Sequence, residues 1–176
     1  MNILIPMAGL GTRFKGSKYT GPKPLIDIAG RTMIERALDS FKLDAHFIFV
    51  MQKETAIPQV LDKLATTREN ITIIEINEVT AGPACTCLLA KDFINSDEEL
   101  IIANCDQIMF WSFEHFLHAM RHPGVDASIV TYTSATPKNS YAQIDKNGRV
   151  IRVREKEVIS SISLNGVHYW KRGRDF

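Results

Sequence analysis

The chain of 176 residues is 45% apolar and 23% charged, values ordinary for one globular domain that can bury a real core. Its 21 Lys and Arg nearly balance 20 Asp and Glu, leaving a formal net charge of +1, and the basic residues are scattered, which argues against a nucleic-acid or acidic-lipid partner. No apolar run reaches the length of a membrane span and Met1-Asn2-Ile3-Leu4-Ile5 lacks a basic leader region, so a cytoplasmic protein without membrane partners is expected.

Residues 3–7 are a short apolar run that reads as the first strand. It enters a loop over 8–31 with five glycines (Gly9, Gly11, Gly16, Gly21, Gly30) and two prolines (Pro22, Pro24), longer than a plain connection needs, and such loops tend to be functional. Thr32-Met33-Ile34-Glu35 is a capping box opening a helix, with Met33, Ile34, Ala37, Leu38 and Phe41 on one face. Residues 45–51 read as a second strand. Ile57, Val60, Leu61 and Leu64 have the spacing of an amphipathic helix, with Pro58 in its first turn.

Residues 71–76 follow as a third strand, Gly82-Pro83 opens a helix running to Phe93, and 100–104 form a fourth strand ending at Asp106. A helix is expected over 112–121 and a strand over 126–133. The runs 141–144 and 150–153 pair as a hairpin across Asp145-Lys146-Asn147-Gly148, where Asn-Gly is expected to supply positive φ angles. A last strand spans 164–170, and 170–176 reads as the start of a further helix. This alternation predicts an α/β fold, a Rossmann-like three-layer α/β/α sandwich with a mostly parallel central sheet and a late antiparallel hairpin. Nothing divides the chain, so 1–176 is one expected domain. Cys85, Cys87 and Cys105 form no C-x-x-C pair and are expected to be buried thiols.

The segment Met7-Ala8-Gly9-Leu10-Gly11-Thr12-Arg13-Phe14 follows the first strand, where α/β sheets form their ligand crevice and glycines let backbone amides approach phosphate oxygens. A dinucleotide fingerprint would need a glycine where Phe14 stands and an acidic residue after the second strand, where Gln52-Lys53 occurs. A P-loop would need Gly-Lys-Ser or Gly-Lys-Thr. Instead Arg13 is followed ten residues later by Lys23 in Pro22-Lys23-Pro24-Leu25, two cations on one glycine-rich loop, a different kind of polyphosphate clamp. At the end of the fourth strand, Asp106 offers a hard oxygen suited to Mg²⁺ held with substrate phosphates, or a turn-forming carboxylate that caps the next segment.

Gly9-Leu10-Gly11-Thr12-Arg13 together with Pro22-Lys23-Pro24-Leu25 resembles the signature of the sugar-phosphate nucleotidyltransferases, the nucleoside-diphosphate-sugar pyrophosphorylases. The similarity runs on through Asp27-Ile28-Ala29-Gly30-Arg31-Thr32-Met33-Ile34, Ala81-Gly82-Pro83-Ala84 and Asn104-Cys105-Asp106, nearly the whole chain. The resemblance implies the nucleotide-diphospho-sugar transferase fold and Mg²⁺-dependent transfer of a nucleotidyl group from a nucleoside triphosphate to a sugar 1-phosphate, with pyrophosphate released. It implies Arg13 and Lys23 as catalytic cations, Met7, Ala8, Gly9, Gly11, Thr12 and Gly82 around the nucleotide, and Asp106 as the metal ligand. It also implies Glu155, Lys156 and Gly166 at the sugar phosphate.

Two departures stand out. Ala142 follows Tyr141 where the family commonly has glycine, and the chain stops before the second metal-binding aspartate that the family places beyond a strand ending near Trp170, so a truncated core is expected. The competing readings are a glycosyltransferase of similar architecture, whose D-x-D motif Asn104-Cys105-Asp106 lacks, and a non-catalytic nucleotide-sugar-binding or regulatory module. His115, His118 and His122 read as a solvated helix face, and Phe110, Trp111, Phe113 and Phe116 as packing. Self-association stays open, with no apolar stripe that demands it.

Overall fold

The computed structural model describes residues 1–9 and 21–176, so Gly11, Thr12 and Arg13 of the glycine loop lie outside the described residues. Strand β1 (Asn2–Met7) alternates its side chains between two apolar layers, as the pleat requires. Ile3, Ile5 and Met7 enter one core and Leu4 the other. On one edge β1 pairs in parallel with β4 (His46–Gln52), which pairs in parallel with β5 (Ile71–Ile76); on its other edge lies β6 (Leu100–Ile102), also parallel. Between β1 and β4, a two-stranded hairpin of β2 (Asp27–Ile28) and β3 (Arg31–Thr32) closes through Ala29 and Gly30, both at positive φ (53° and 81°).

Beyond β6 the sheet turns antiparallel through β10 (Ile162–Trp170). Strands β6 and β8 (Ser140–Ile144) share one edge of β10, β7 (Ala127–Thr133) takes the other, and β9 (Val150–Glu155) closes the order by pairing with β8. The sandwich with its parallel centre and late hairpin is therefore present, and β7 and β10 join the hairpin in the antiparallel part.

Helices α1 (Met33–Leu38), α2 (Pro58–Thr67) and α5 (Phe113–Met120) cover one face with a continuous core that includes Phe41, Phe47, Phe49 and Tyr169. The short helices α3 (Pro83–Leu88) and α4 (Lys91–Ile94) cover the other around Leu4, Ile48, Val50 and Leu100. The capping box of α1 forms as read: the Thr32 amide donates to Glu35 Oε2 at 2.8 Å, and the Glu35 amide donates to Thr32 Oγ1 at 3.4 Å.

Three local expectations change. The helix expected over 83–93 divides, because the Leu89 and Ala90 amides bond back three residues to Thr86 and Cys87; this tightened turn brings Ala90 and Ile94 under Leu4. In the β8–β9 turn only Gly148 has positive φ, at 78°, while Asn147 does not. The loop is longer than a two-residue turn, with Gly148 N bonded to Asp145 O and the Asp145 carboxylate accepting from the Asn147 and Arg149 amides, so a single left-handed residue suffices. Beyond β10, Gly173–Asp175 make one 3₁₀ turn, tied by Gly173 N to Glu98 O at 2.8 Å, with Phe176 edge-on to Trp170.

Candidate functional site

In a parallel sheet every strand leaves at the same edge, and side chains just past the strand ends converge there. The Ala103 amide donates to Leu4 O at 3.0 Å, which fixes the phase of the chain leaving β6 against β1. Met7 and Ala8 close β1 nearly buried, at 7% and 4% exposure. Ala8 O is held by buried Gln52 at the end of β4, whose Nε2 donates to it at 3.0 Å. Gln52 is a site-building residue the sequence did not single out; a polar side chain ending an apolar strand at the ligand edge was the available signal. Gly9 is exposed, and among the described residues none stands within 4 Å of a Cβ built on it.

Asp106 stands on the loop after β6, and Lys23, in the 3₁₀ turn Lys23–Leu25, forms an ion pair with its Oδ2 although 83 residues separate them. Pro22 and Pro24 fix the backbone that presents this lysine. The two side chains are 25% and 35% exposed, so the pair faces solvent at the edge of the sheet. Two elements expected at one phosphate site thus meet directly.

On the other side of Asp106, the Asn104 amide nitrogen donates to Gln107 Oε1 at 3.2 Å, and Gln107 Nε2 donates to the carbonyl of Asn165. Gly166 has φ of 95°, and a Cβ there would stand 2.3 Å from Asn104 Nδ2, so only glycine fits. The structure therefore brings Lys23 and Gly166 to the one loop after β6, Lys23 by its ion pair with Asp106 and Gly166 by its close approach to Asn104. Gly82 lies at the start of α3, half-buried and in extended conformation at φ of 174°, and among the described residues none stands within 4 Å of a Cβ built on it.

Glu155 and Lys156 differ in kind. Glu155 ends β9 and Lys156 follows it, with side chains 73% and 70% exposed that pair with each other at 3.0 Å. Lys156 has left-handed backbone at φ of 55°, held by its amide donating to Asn139 O at 2.9 Å. Ala142 is wholly buried and its carbonyl accepts from Ser160 Oγ at 2.5 Å, so that oxygen is engaged inside the protein.

The remaining candidates fall away. Cys105 and Cys87 are buried, and burial pushes their thiols up to about 11 and about 12, which makes them inert; Cys85, expected buried, is exposed. Trp111, Phe113 and Phe116 pack together, with Trp111 and Phe116 rings 4.6 Å apart, but Phe110 is 98% exposed. Ser40 explains that difference: its Oγ accepts from the Met109 amide and its carbonyl from Trp111 Nε1, which turns the intervening residue outward. Among the described residues no group of three His, Cys, Asp or Glu could hold a metal, and no helix is long and apolar enough to cross a membrane.

Comparison with known proteins fits this geometry. Residues 3–145 match the family described as the MobA-like NTP transferase domain. The chain is 24% identical over 159 residues to the bifunctional protein GlmU of Staphylococcus saprophyticus, covering 90% of this chain and 33% of that protein. It is 24% identical over 164 residues to the mannose-1-phosphate guanylyltransferase catalytic subunit beta of Dictyostelium discoideum, covering 89% and 45%. The chain thus spans a third to under half the length of these relatives. The crystal structure of a nucleoside-diphosphate-sugar pyrophosphorylase from Vibrio cholerae superposes with a TM-score of 0.79 at 24% identity, over 98% of this chain and 74% of that one, which establishes the fold.

Proposed function

Since the chain belongs to the MobA-like NTP transferase domain family, we propose that it joins a nucleoside triphosphate to a sugar 1-phosphate and releases pyrophosphate. The observation that carries this reading is the Lys23–Asp106 pair at the carboxyl edge of the sheet, its aspartate on the same loop after β6 as Asn104, which Gly166 of β10 approaches closely. A cation and a carboxylate side by side next to a close backbone approach suit a ligand with phosphates. The name of one relative, a mannose-1-phosphate guanylyltransferase, agrees with that substrate class.

The chemistry needs no general base. A phosphate monoester loses its second proton near pH 6, so the sugar phosphate oxygen is already an anion at neutral pH. That oxygen attacks the α-phosphorus in line, a new P–O bond forms, and the bond to the β-phosphate oxygen breaks with its electron pair leaving on pyrophosphate. Catalysis is then positioning and charge neutralisation. Lys23 takes the charge on the transferring phosphoryl group, Arg13 that of the triphosphate, and Lys156 that of the incoming phosphate. Met7, Ala8, Gly9, Gly11 and Thr12 receive the nucleotide along the first loop, Gly82 borders the base, and Glu155 and Gly166 border the sugar.

A divalent cation fits the donor set: one solvent-accessible carboxylate, Asp106, is what Mg²⁺ ordinarily takes from a protein when phosphates and water supply the rest. When bound there, Mg²⁺ would neutralise phosphate charge. The test is pyrophosphate release with a panel of nucleoside triphosphates against a panel of sugar 1-phosphates. Release should require both substrates, and Lys23→Ala should lower kcat/KM by about a hundredfold or more while the protein stays folded. Equal rates in wild type, Lys23→Ala and Arg13→Ala would sink the assignment. Tight nucleotide-sugar binding without any release would favour the non-catalytic module.

A further inference from the structure

Strand β10 changes neighbours midway. Ser163 pairs with Tyr141 of β8 and His168 with Ile102 of β6, so residues 164–167 meet no ladder partner on that edge among the described residues. On the other edge the register with β7 slips between Leu164, opposite Thr131, and His168, opposite Ile129, so Asn165, Gly166 and Val167 stand against Val130 alone. A bulge of this kind frees backbone groups from the ladder and re-aims the strand. Freed polar groups in a half-buried place need partners from elsewhere.

Gln107 is such a partner. Its Nε2 donates to Asn165 O across 58 residues of sequence, and its Oε1 is held by Asn104 Nδ2 at 3.2 Å. Both ends of one side-chain amide are thus used, one on the loop that carries Asp106 and the other on the bulge. Around this link the fit is close: a Cβ on Gly166 would collide with Asn104, and Asn165 Nδ2 meets Met109 Sδ at 3.5 Å on the same 104–109 loop. The Asn165 side-chain oxygen is buried without a hydrogen-bond partner among the described residues. An unsatisfied buried acceptor of this sort is costly unless something donates to it.

We propose that Gln107 is a positioning residue that locks the Asn165–Gly166 bulge of β10 to the Asp106 loop and so fixes the sugar side of the site relative to the phosphate side. The inference rests on the function proposed above. Gln107 touches no reacting atom; it acts by holding the Asn165 backbone. Removing it takes a donor from the Asn165 carbonyl and lets the bulge drift from the loop, and the substrate read by the bulge loses affinity. The nucleotide, gripped by the first loop and Lys23, does not. The Gln107 amide is specific to this work because it both donates and accepts; a carboxylate of the same length keeps only the acceptor and sets an anion against the Asn165 carbonyl.

The experiment uses the full chain, with wild type, Gln107→Ala and Gln107→Glu compared by steady-state pyrophosphate release and by amide hydrogen exchange. Gln107→Ala should raise KM for the sugar 1-phosphate about tenfold and leave KM for the nucleoside triphosphate within about twofold. Gln107→Glu should raise it at least as far. Exchange over residues 164–168 should quicken in both variants while that of β1 and β4 stays as in wild type. If both Michaelis constants move together, or exchange at the bulge is unaltered, Gln107 has no such role. Wild type inactive with every substrate pair removes the proposed function itself, whereas an active wild type with an indifferent Gln107→Ala removes only this inference.

Discussion

The parallel half of the sheet and its antiparallel half hold their site residues by opposite means. Strands β1, β4 and β6 are nearly sealed, with Ile3, Leu4, Ile5, Phe47, Ile48, Phe49 and Leu100 all at 0% exposure, and the groups at their ends inherit that rigidity. Every residue of β9, by contrast, is exposed, with Val150, Ile151 and Val153 open to solvent, and the pair Glu155 and Lys156, proposed for the sugar phosphate, lies at the end of this outermost strand. The edge proposed to take the phosphates is built on buried strands. The pair proposed for the sugar phosphate stands on an exposed one.

The contrast is sharpest in stability. Phe49→Ala, in the centre of β4, should cost about 3–5 kcal/mol in urea unfolding, whereas Val153→Ala on β9 should cost under about 1 kcal/mol. Equal costs would break the comparison. Next is Gly166→Ala, where the two halves touch. A methyl group 2.3 Å from Asn104 Nδ2, on a backbone at φ of 95°, should cost about 2 kcal/mol and lower turnover with the sugar 1-phosphate far more than it lowers nucleotide binding by calorimetry.

A third prediction uses Glu99, which joins the halves from the opposite edge. Arg121 Nε donates to its Oε1 at 2.7 Å, and the Tyr169 hydroxyl donates to the same oxygen at 2.7 Å. The Arg121 hydrogen bonds first, and that of Tyr169 after them, hold the Glu99 carboxyl below its ordinary value against the opposing effect of burial. A depressed carboxyl stabilises the fold above its unfolded value of about 4.3 and loses that contribution as pH falls through the lower folded value. Glu99→Gln should therefore cost about 1 kcal/mol near pH 7 by thermal unfolding, and the gap to wild type should close as pH drops below about 4. A gap independent of pH would remove the ionic part of this account.

The smallest expected effect concerns strain in the exposed half. Lys156→Gly relieves a left-handed backbone at φ of 55°, so stability should stay within about 1 kcal/mol of wild type or rise. Activity with the sugar 1-phosphate should nonetheless fall, because the cation is gone. Loss of stability together with activity would mean that Lys156 is structural.

Much of this was legible along the chain because its signals are local. Short apolar runs gave β1, β4 and β5, the Thr32–Glu35 box gave the start of α1, and the glycine-rich stretch with Lys23 pointed to an anion site. The split between α3 and α4 was not legible, since both halves share one helical pattern and only the packing of Ala90 and Ile94 under Leu4 decides it. Nor was the exposure of β9: Val150, Ile151 and Val153 look like core residues in sequence, but the strand lies at the sheet's end with β8 as its only partner among the described strands.

By itself, then, the order of residues determined the α/β class, the capping of α1 and which loops carry glycines and cations, because each depends on near neighbours and on backbone preference. Only the folded chain decided that Lys23 meets Asp106 across 83 residues, that Gln52 secures Ala8, and that Gln107 spans to Asn165. Those contacts depend on strand order and register, set when many weak apolar burials are satisfied at once, and no single stretch of sequence contains that information.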